Sequence, residues 1–307
     1  MDKLLDENVE IIDDLLMFLL FEMKGKNMSI NKFRCQKAIF KIKMDLGEKN
    51  PLFDKIPYYW YNFGPFSQTV SDSFNSMIHL LNPNRKLNDY TYNSLKNHDF
   101  NIIIKYPEIE NIVKGLINNR DYFYEKLHKE VYLKYAPYDC MYPFKFEIFN
   151  ITDKKRSIGY FNTDKFINSF FKCESKLPSN SYFNDFSDIF SNFLANLDLL
   201  NDENLLKKCW SVLRDPIKFL WLTFTKEVRV KHKDKFYDYK EKEWYLIFKN
   251  KTNTLKLSID IADEEIEKFR YKKPFNEFHN TNESYTSLQK KILNSTIGNY
   301  LKEGINV

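Results

Sequence analysis

Apolar residues recur at helical spacing over residues 9–21, where Val9, Ile12, Leu16, Leu19 and Leu20 share one face. The chain is therefore predicted to open with an amphipathic helix whose start is acidic. Lys24-Gly25-Lys26 interrupts it, and Ser29 stands where it can cap a second helix running to Leu46, with Gly47 placed to end it. On a helical wheel Cys35, Ala38, Ile39, Ile42 and Leu46 form one stripe, while Phe33, Phe40 and Met44 form another on the opposite side. This helix is expected to be covered on both faces. Between the stripes, Arg34, Lys37 and Lys41 line one edge and Lys32, Gln36 and Lys43 the other. Arg34 and Lys37, on such an edge, are expected to tolerate a reversed charge.

The aromatic run Ile56-Pro57-Tyr58-Tyr59-Trp60-Tyr61-Asn62-Phe63-Gly64-Pro65-Phe66-Ser67 has extended character and closes on Gly-Pro. It is read as a strand or extended segment feeding a helix over residues 67–81, with Val70, Phe74, Met77, Ile78 and Leu81 on one face. Shorter helices are predicted over 90–98, 109–117 and 121–134. Beyond a boundary near Tyr135, Tyr142-Pro143-Phe144-Lys145-Phe146-Glu147-Ile148-Phe149 alternates with period two, and with residues 157–161 it predicts a hairpin. Helices resume over 163–171, 183–200 and 202–213. Asp215-Pro216 is read as a cap and first-turn proline that start another helix through Ile217, Leu220, Trp221 and Phe224. A second hairpin is predicted from 244–248 and 254–261, turning at Lys251-Thr252-Asn253, before helices from Asp263 and over 284–301. The pattern gives an α+β, predominantly α-helical chain: a compact helical domain over 1–135 and a helical domain with two β-hairpins over 136–307.

Composition narrows the class. A chain of 307 residues, 43% hydrophobic and 29% charged, has globular usage and room for about two domains. Only 7 glycines and 10 prolines argue against a loop-rich sandwich or propeller. The 28 phenylalanines and 20 tyrosines, beside many Asn, Lys and Ile, are residues with A/T-rich codons, so codon bias explains much of the aromatic and lysine content. Cys35, Cys140, Cys173 and Cys209 lie far apart without a C-x-x-C pair, which fits a reducing cytoplasm rather than a disulfide framework. The apolar stretch over 11–21 is too short to span a bilayer and carries Asp13 and Asp14, and the residues before it have the wrong sign for a secretion signal. A cytoplasmic protein without a membrane partner is expected.

The search for chemistry returns few candidates. Phosphate-loop, dinucleotide, nucleophile-elbow and H-E-x-x-H motifs are all missing, and the histidines His79, His98, His128, His232 and His279 stand apart. No catalytic residue, metal or cofactor is expected. Asp234, Asp238, Lys240, Glu241 and Glu243 have the residue types that hold Mg²⁺ and orient water, which keeps a metal-dependent nuclease as an alternative, although a solvated charged segment explains them as well. The arginine–histidine spacing of small helical ribonucleases does not occur, and Cys35 on its apolar stripe reads as a small buried hydrophobe. The net charge of +5 is modest, but Arg34, Lys37 and Lys41 at i, i+3 and i+7 can track phosphates if their edge is open, with Tyr58, Tyr59 and Trp60 nearby to stack on bases or fill the core. Arg34, Lys37, Lys41 and Trp60 define the first alternative, a nucleic-acid-binding regulator, with the nuclease second.

One resemblance rests on two segments together. The helix Arg34-Cys35-Gln36-Lys37-Ala38-Ile39-Phe40, followed by Tyr61-Asn62-Phe63-Gly64-Pro65-Phe66-Ser67, resembles the Panacea, or SocA-like, domain of prokaryotic antitoxins and its relatives of the Y-G-P-Y-S type. Gln36, Lys37, Phe63, Gly64, Pro65 and Ser67 match the family pattern. Cys35 and Ala38 stand where larger aliphatics are usual, and one extra residue separates Trp60 from Gly64. The resemblance covers about residues 6–97. It implies a compact, mainly helical domain that neutralises a toxin or regulates a defence system by binding protein, with Gly64 allowing close backbone approach and Pro65 fixing the entry of the next helix.

Overall fold

The computed structural model describes residues 2–153, 162–179, 183–200 and 203–271. The protein is α+β and predominantly helical, with a two-stranded antiparallel sheet among the described residues. Two compact units divide the chain: Met1–Tyr135 with His232–Tyr239, and Ala136–Lys231 with Lys240–Val307. The excursion of His232–Tyr239 into the first unit is not foreseen by the sequence pattern.

In the first unit, α1 (Asp2–Gly25) and α2 (Lys32–Leu46) are followed by β1 (Tyr59–Tyr61), β2 (Gly64–Phe66) and α3 (Gln68–Ser76). The short helices α4 (Asp89–Ser94) and α5 (Asn101–Lys105) lead to α6 (Glu108–Asn118), and a π turn (Tyr122–Lys126) runs into α7 (Leu127–Tyr135). Helix α1 buries Ile12, Leu15, Leu16, Leu19, Leu20 and Met23, while Val9 stays exposed. The cap of α2 is Asn31, whose side chain accepts from the Arg34 N–H at 2.9 Å, rather than Ser29. Ser29 is taken up by Tyr124, whose hydroxyl accepts from the Ser29 N–H and donates to its carbonyl. Gly47 ends the helix at φ +77°, as its position suggests. Helix α2 packs against α3, α6, α7 and β2, which explains why both of its stripes are covered. Cys35, Ala38, Ile39 and Ile42 are fully buried, and so is Phe40 nearly, on the other side.

The aromatic Gly-Pro run forms a hairpin rather than a single extended segment. Tyr59 pairs with Phe66, Trp60 with Pro65 and Tyr61 with Gly64 around the turn Asn62-Phe63. A proline fits at position 65 because its partner Trp60 directs its own N–H to the opposite edge, to the His232 carbonyl at 2.9 Å, so no ladder bond needs a donor from Pro65. Ser67 then caps α3, accepting from the Val70 N–H. That helix stops at Ser76, and Ile78–Leu80 forms one 3₁₀ turn, so the predicted helix to residue 81 breaks in two.

The second unit holds α8 (Met141–Pro143), a π segment (Phe144–Phe149), α9 (Asn150–Asp153), α10 (Thr163–Glu174), α11 (Asn184–Asp198), α12 (Glu203–Lys231) and α13 (Glu241–Tyr271). Both predicted hairpins of this unit are overturned. Over the first, burial falls on Met141, Phe144, Lys145, Ile148 and Phe149, a helical spacing that outweighs the apparent alternation. Its partner strand, 157–161, lies outside the described residues. Over the second, Trp244, Phe248, Thr252, Leu255, Ile259, Ala262 and Ile266 are buried at steps of three and four, whereas Leu257 is exposed. In the Leu-Lys-Leu-Ser-Ile alternation there, Leu255 and Ile259 belong to the helical stripe while Leu257 faces solvent. Asp215-Pro216 starts no new helix: Pro216 lies inside α12, where Leu213, Ile217 and Leu220 continue one buried stripe across it and α12 packs along α13. Phe144, Phe170, Phe186, Phe190, Trp221 and Phe224 build the core of this unit through mostly edge-on and tilted ring contacts. The helix predicted over 284–301 lies outside the described residues.

Candidate functional site

The two segments that carry the family resemblance are joined by hydrogen bonds. The Gln36 side chain forms a closed pair with the Ser67 main chain: its Nε2 donates to the Ser67 carbonyl, and its Oε1 accepts from the Ser67 N–H, both at 2.9 Å. Lys37, the next residue, has its Nζ donating to the Pro65 carbonyl at 2.8 Å and lying 5.1 Å from the centre of the Phe33 ring. Gln36 and Lys37 are both only 3% exposed, so these bonds form away from water, where an unmet polar group is costly. Gly64 sits at φ +95°, and a Cβ there would stand 3.0 Å from Tyr132 Cε2 and 3.3 Å from Lys37 Nζ. Glycine is thus required twice, by its backbone angle and by the closeness of Lys37. Phe63, at the turn, meets the edge of Phe33 with ring centres 6.5 Å apart.

A second layer reaches the same hairpin from His232–Tyr239. Asp234 accepts from the Tyr58 N–H at 2.6 Å and from Lys43 Nζ at 2.8 Å, and Lys43 also donates to the Ile56 carbonyl at 2.8 Å. The Tyr58 hydroxyl donates to the Gln36 carbonyl, tying this layer to the first. Tyr237 accepts from the Gln68 N–H at 3.3 Å. Burial pushes the Tyr237 phenol up to about 12 and Tyr58 far above the ordinary tyrosine value, so both stay neutral and hydrogen-bonding at any physiological pH. Burial likewise drives the Cys35 thiol far up, which makes it a packing residue rather than a nucleophile.

The basic edge is not an open face. Lys37 is consumed by Pro65, which corrects the expectation that it tolerates a reversed charge. Trp60 is 7% exposed and packs edge-on against Phe40 and Tyr132, so its ring offers no face to a base. Arg34 lies over the Tyr124 ring at 4.7 Å, and Lys41 pairs with Asp45. The acidic cluster is dispersed in the same way: Asp234 holds Lys43 and Tyr58, Lys233 pairs with Asp238, and Lys240 pairs with Glu243. Among the described residues no group of three or more His, Cys, Asp or Glu is placed to hold a metal ion. No helix among them is long and apolar enough to cross a membrane.

Sequence reasoning gave Lys43 a place on an edge but no partner, read Tyr58 only as an aromatic for stacking or core, missed Tyr237 and misread Asp234. Lys43 follows Gln36 by seven residues on one helix edge, but a polar edge reads as solvent-facing, so the pattern gives no sign that it turns inward. Asp234 is 191 positions from Lys43, and nothing local announces that pairing.

A scan of protein-family models, a search of curated proteins and a search of solved structures each returned no match for this chain.

Proposed function

We propose that the chain is a non-enzymatic, cytoplasmic binding protein of a prokaryotic toxin–antitoxin or antiviral-defence system, acting as an antitoxin-like neutraliser or regulator through a protein partner. The observation that supports this reading most is the junction itself. The residues quoted for the family resemblance, Gln36 and Lys37 on one segment and Gly64, Pro65 and Ser67 on the other, meet in one buried hydrogen-bonded unit. The two segments close on each other across 31 positions, as a pattern that describes one folded unit requires. The junction is a scaffold: its polar groups are turned inward, so it shapes the hairpin and the start of α3 instead of presenting reactive atoms. A protein that works by shape needs such a fixed hairpin.

The test is neutralisation. The products of the genes flanking this one are expressed singly and together with the chain. One of them is expected to arrest growth alone, to be silenced by coexpression, and to form with the chain a complex that survives gel filtration. Arrest that the chain does not relieve, or no arrest by any neighbour, contradicts the proposal.

A further inference from the structure

The cations of α2 are not all neutralised within the first unit. Lys41 pairs with Asp45, Lys43 with Asp234 at 2.8 Å, and Lys37 donates to the Pro65 carbonyl. Arg34 differs: among the described residues no carboxylate or carbonyl receives its guanidinium, which lies over the Tyr124 ring, 4.7 Å from its centre. Arg120 lies 5.6 Å from the centre of the same ring and likewise meets no acid among those residues. The ring itself is fixed, because the Tyr124 hydroxyl accepts from the Ser29 N–H at 2.7 Å and donates to the Ser29 carbonyl at 2.8 Å. Two guanidiniums held on one fixed ring repel each other, and each has already given up rotamer freedom to the ring contact. An anion shared by the two relieves the repulsion and orders little that is not ordered already. Arg120 is exposed and Arg34 half-buried, so an anion can reach them. The neighbouring charges decide which anion. Asp121 and Glu125, both exposed and in no ion pair among the described residues, stand next to Arg120 and Tyr124 in the chain. A phosphate chain would have to run on past these acids, and the aromatic face it would stack on is missing, since Trp60 is buried. A lone carboxylate needs no such track, and the planar N–H fork of a guanidinium matches its two oxygens.

We propose that Arg34 and Arg120, laid on Tyr124, form a docking site for an isolated aspartate or glutamate side chain on the surface of the partner protein. Tyr124 acts as a positioning residue that holds the two guanidiniums ready, and the arginines supply the contact. The proposal rests on the binding-protein reading and names the surface it uses.

The first arm of the test reads the arginines in the unaltered full chain. Isotope-labelled arginine gives each side chain an Nε–Hε signal, and Arg34→Lys and Arg120→Lys assign the two of interest. A short alanine peptide with one central glutamate and blocked ends is titrated in, and then the same peptide with glutamine in its place. With the glutamate peptide both signals are expected to move along one saturation curve, at least about threefold further than the signal of Arg85, an exposed arginine with no ring beneath it among the described residues; with the glutamine peptide they stay where they are. No movement, or equal movement at Arg85, overturns the proposal. An oligothymidine strand that moves both signals at a lower concentration than the glutamate peptide makes the pair a phosphate site and overturns it too. The second arm uses the partner found by neutralisation and the Arg34→Gln/Arg120→Gln variant, whose folding is checked by circular dichroism. The dissociation constant of the complex is expected to rise about tenfold or more and its dependence on salt to weaken. A folded variant that holds and neutralises the partner as well as the unaltered chain keeps the binding reading and loses the docking site. Should no partner emerge, or the variant not fold, the first arm decides alone.

Discussion

At the scale of single residues, two cations three positions apart on α2 differ in what they hold. Lys37 is buried against the Pro65 carbonyl, while Arg34 stacks on Tyr124 at a half-buried position. Lys37→Glu places an acceptor and a negative charge against a carbonyl oxygen away from water, so it should destabilise the chain by about 3–5 kcal/mol. Arg34→Glu loses one partly solvated ring contact and should cost about 1 kcal/mol or less. Urea unfolding followed by tryptophan fluorescence checks both, and equal losses would show that the two positions are the same kind of edge. Gly64→Ala meets a positive φ and a Tyr132 atom at 3.0 Å together. A loss of about 1–3 kcal/mol is expected, read as a fall in melting temperature, and an unchanged melting temperature would remove the need for glycine there.

At the scale of elements, α13 offers a clean contrast. If residues 254–261 formed a half-buried strand, Leu255 and Leu257 would share its inner face. In the helix Leu255 is fully buried and Leu257 is 45% exposed. Leu255→Ala should therefore cost about 2–5 kcal/mol and Leu257→Ala well under about 1 kcal/mol. Similar costs at both would favour the strand. This element also shows where sequence reasoning fails and why. The bodies of α2 and α3 are legible from their apolar stripes, although the cap of α2 falls on Asn31 instead of Ser29 and α3 stops at Ser76. Period-two alternation over five to eight residues is not decisive, since a helix buried on more than one side samples the same apolar positions. Pro143 and Pro216 mislead in opposite ways. Pro143 stands in the first turn of a helical run in a stretch that reads as strand, and Pro216 is absorbed within α12 because burial on both sides of it holds the helix together. The junction of Gln36 and Lys37 with Gly64 to Ser67 is half legible: the residues stand out as a motif pair, but their wheel positions suggest open edges. The hairpin does not show in periodicity because its residues are buried without alternation, and the bridge of residues 232–234 to β1 does not because partners 170 and more positions apart leave no local trace.

At the scale of the whole molecule, stability is tied to pH through a buried carboxyl. Glu227 on α12 is fully buried, with no hydrogen-bond partner for either oxygen among the described residues. Burial pushes its pKa up from the ordinary 4.5 to about 7, partly opposed by Lys231. The folded chain holds a proton that the unfolded chain releases, so this group's effect is absent below pH 4.5, grows more destabilising as pH rises to about 7, and is constant above. Glu227→Gln should stabilise the protein by about 1–3 kcal/mol at pH 8 and change little at pH 4.5. Urea unfolding at the two values checks this, and a pH-independent effect would contradict it. The account's central claim, that the molecule works by holding another protein, is tested most directly by native mass spectrometry of the chain purified, after nuclease treatment, from the cells that naturally make it. The predicted result is a discrete complex whose mass is this chain plus one other polypeptide, with no nucleic acid. A chain that emerges alone, or one that carries a protected nucleic acid in place of a protein, would contradict the account.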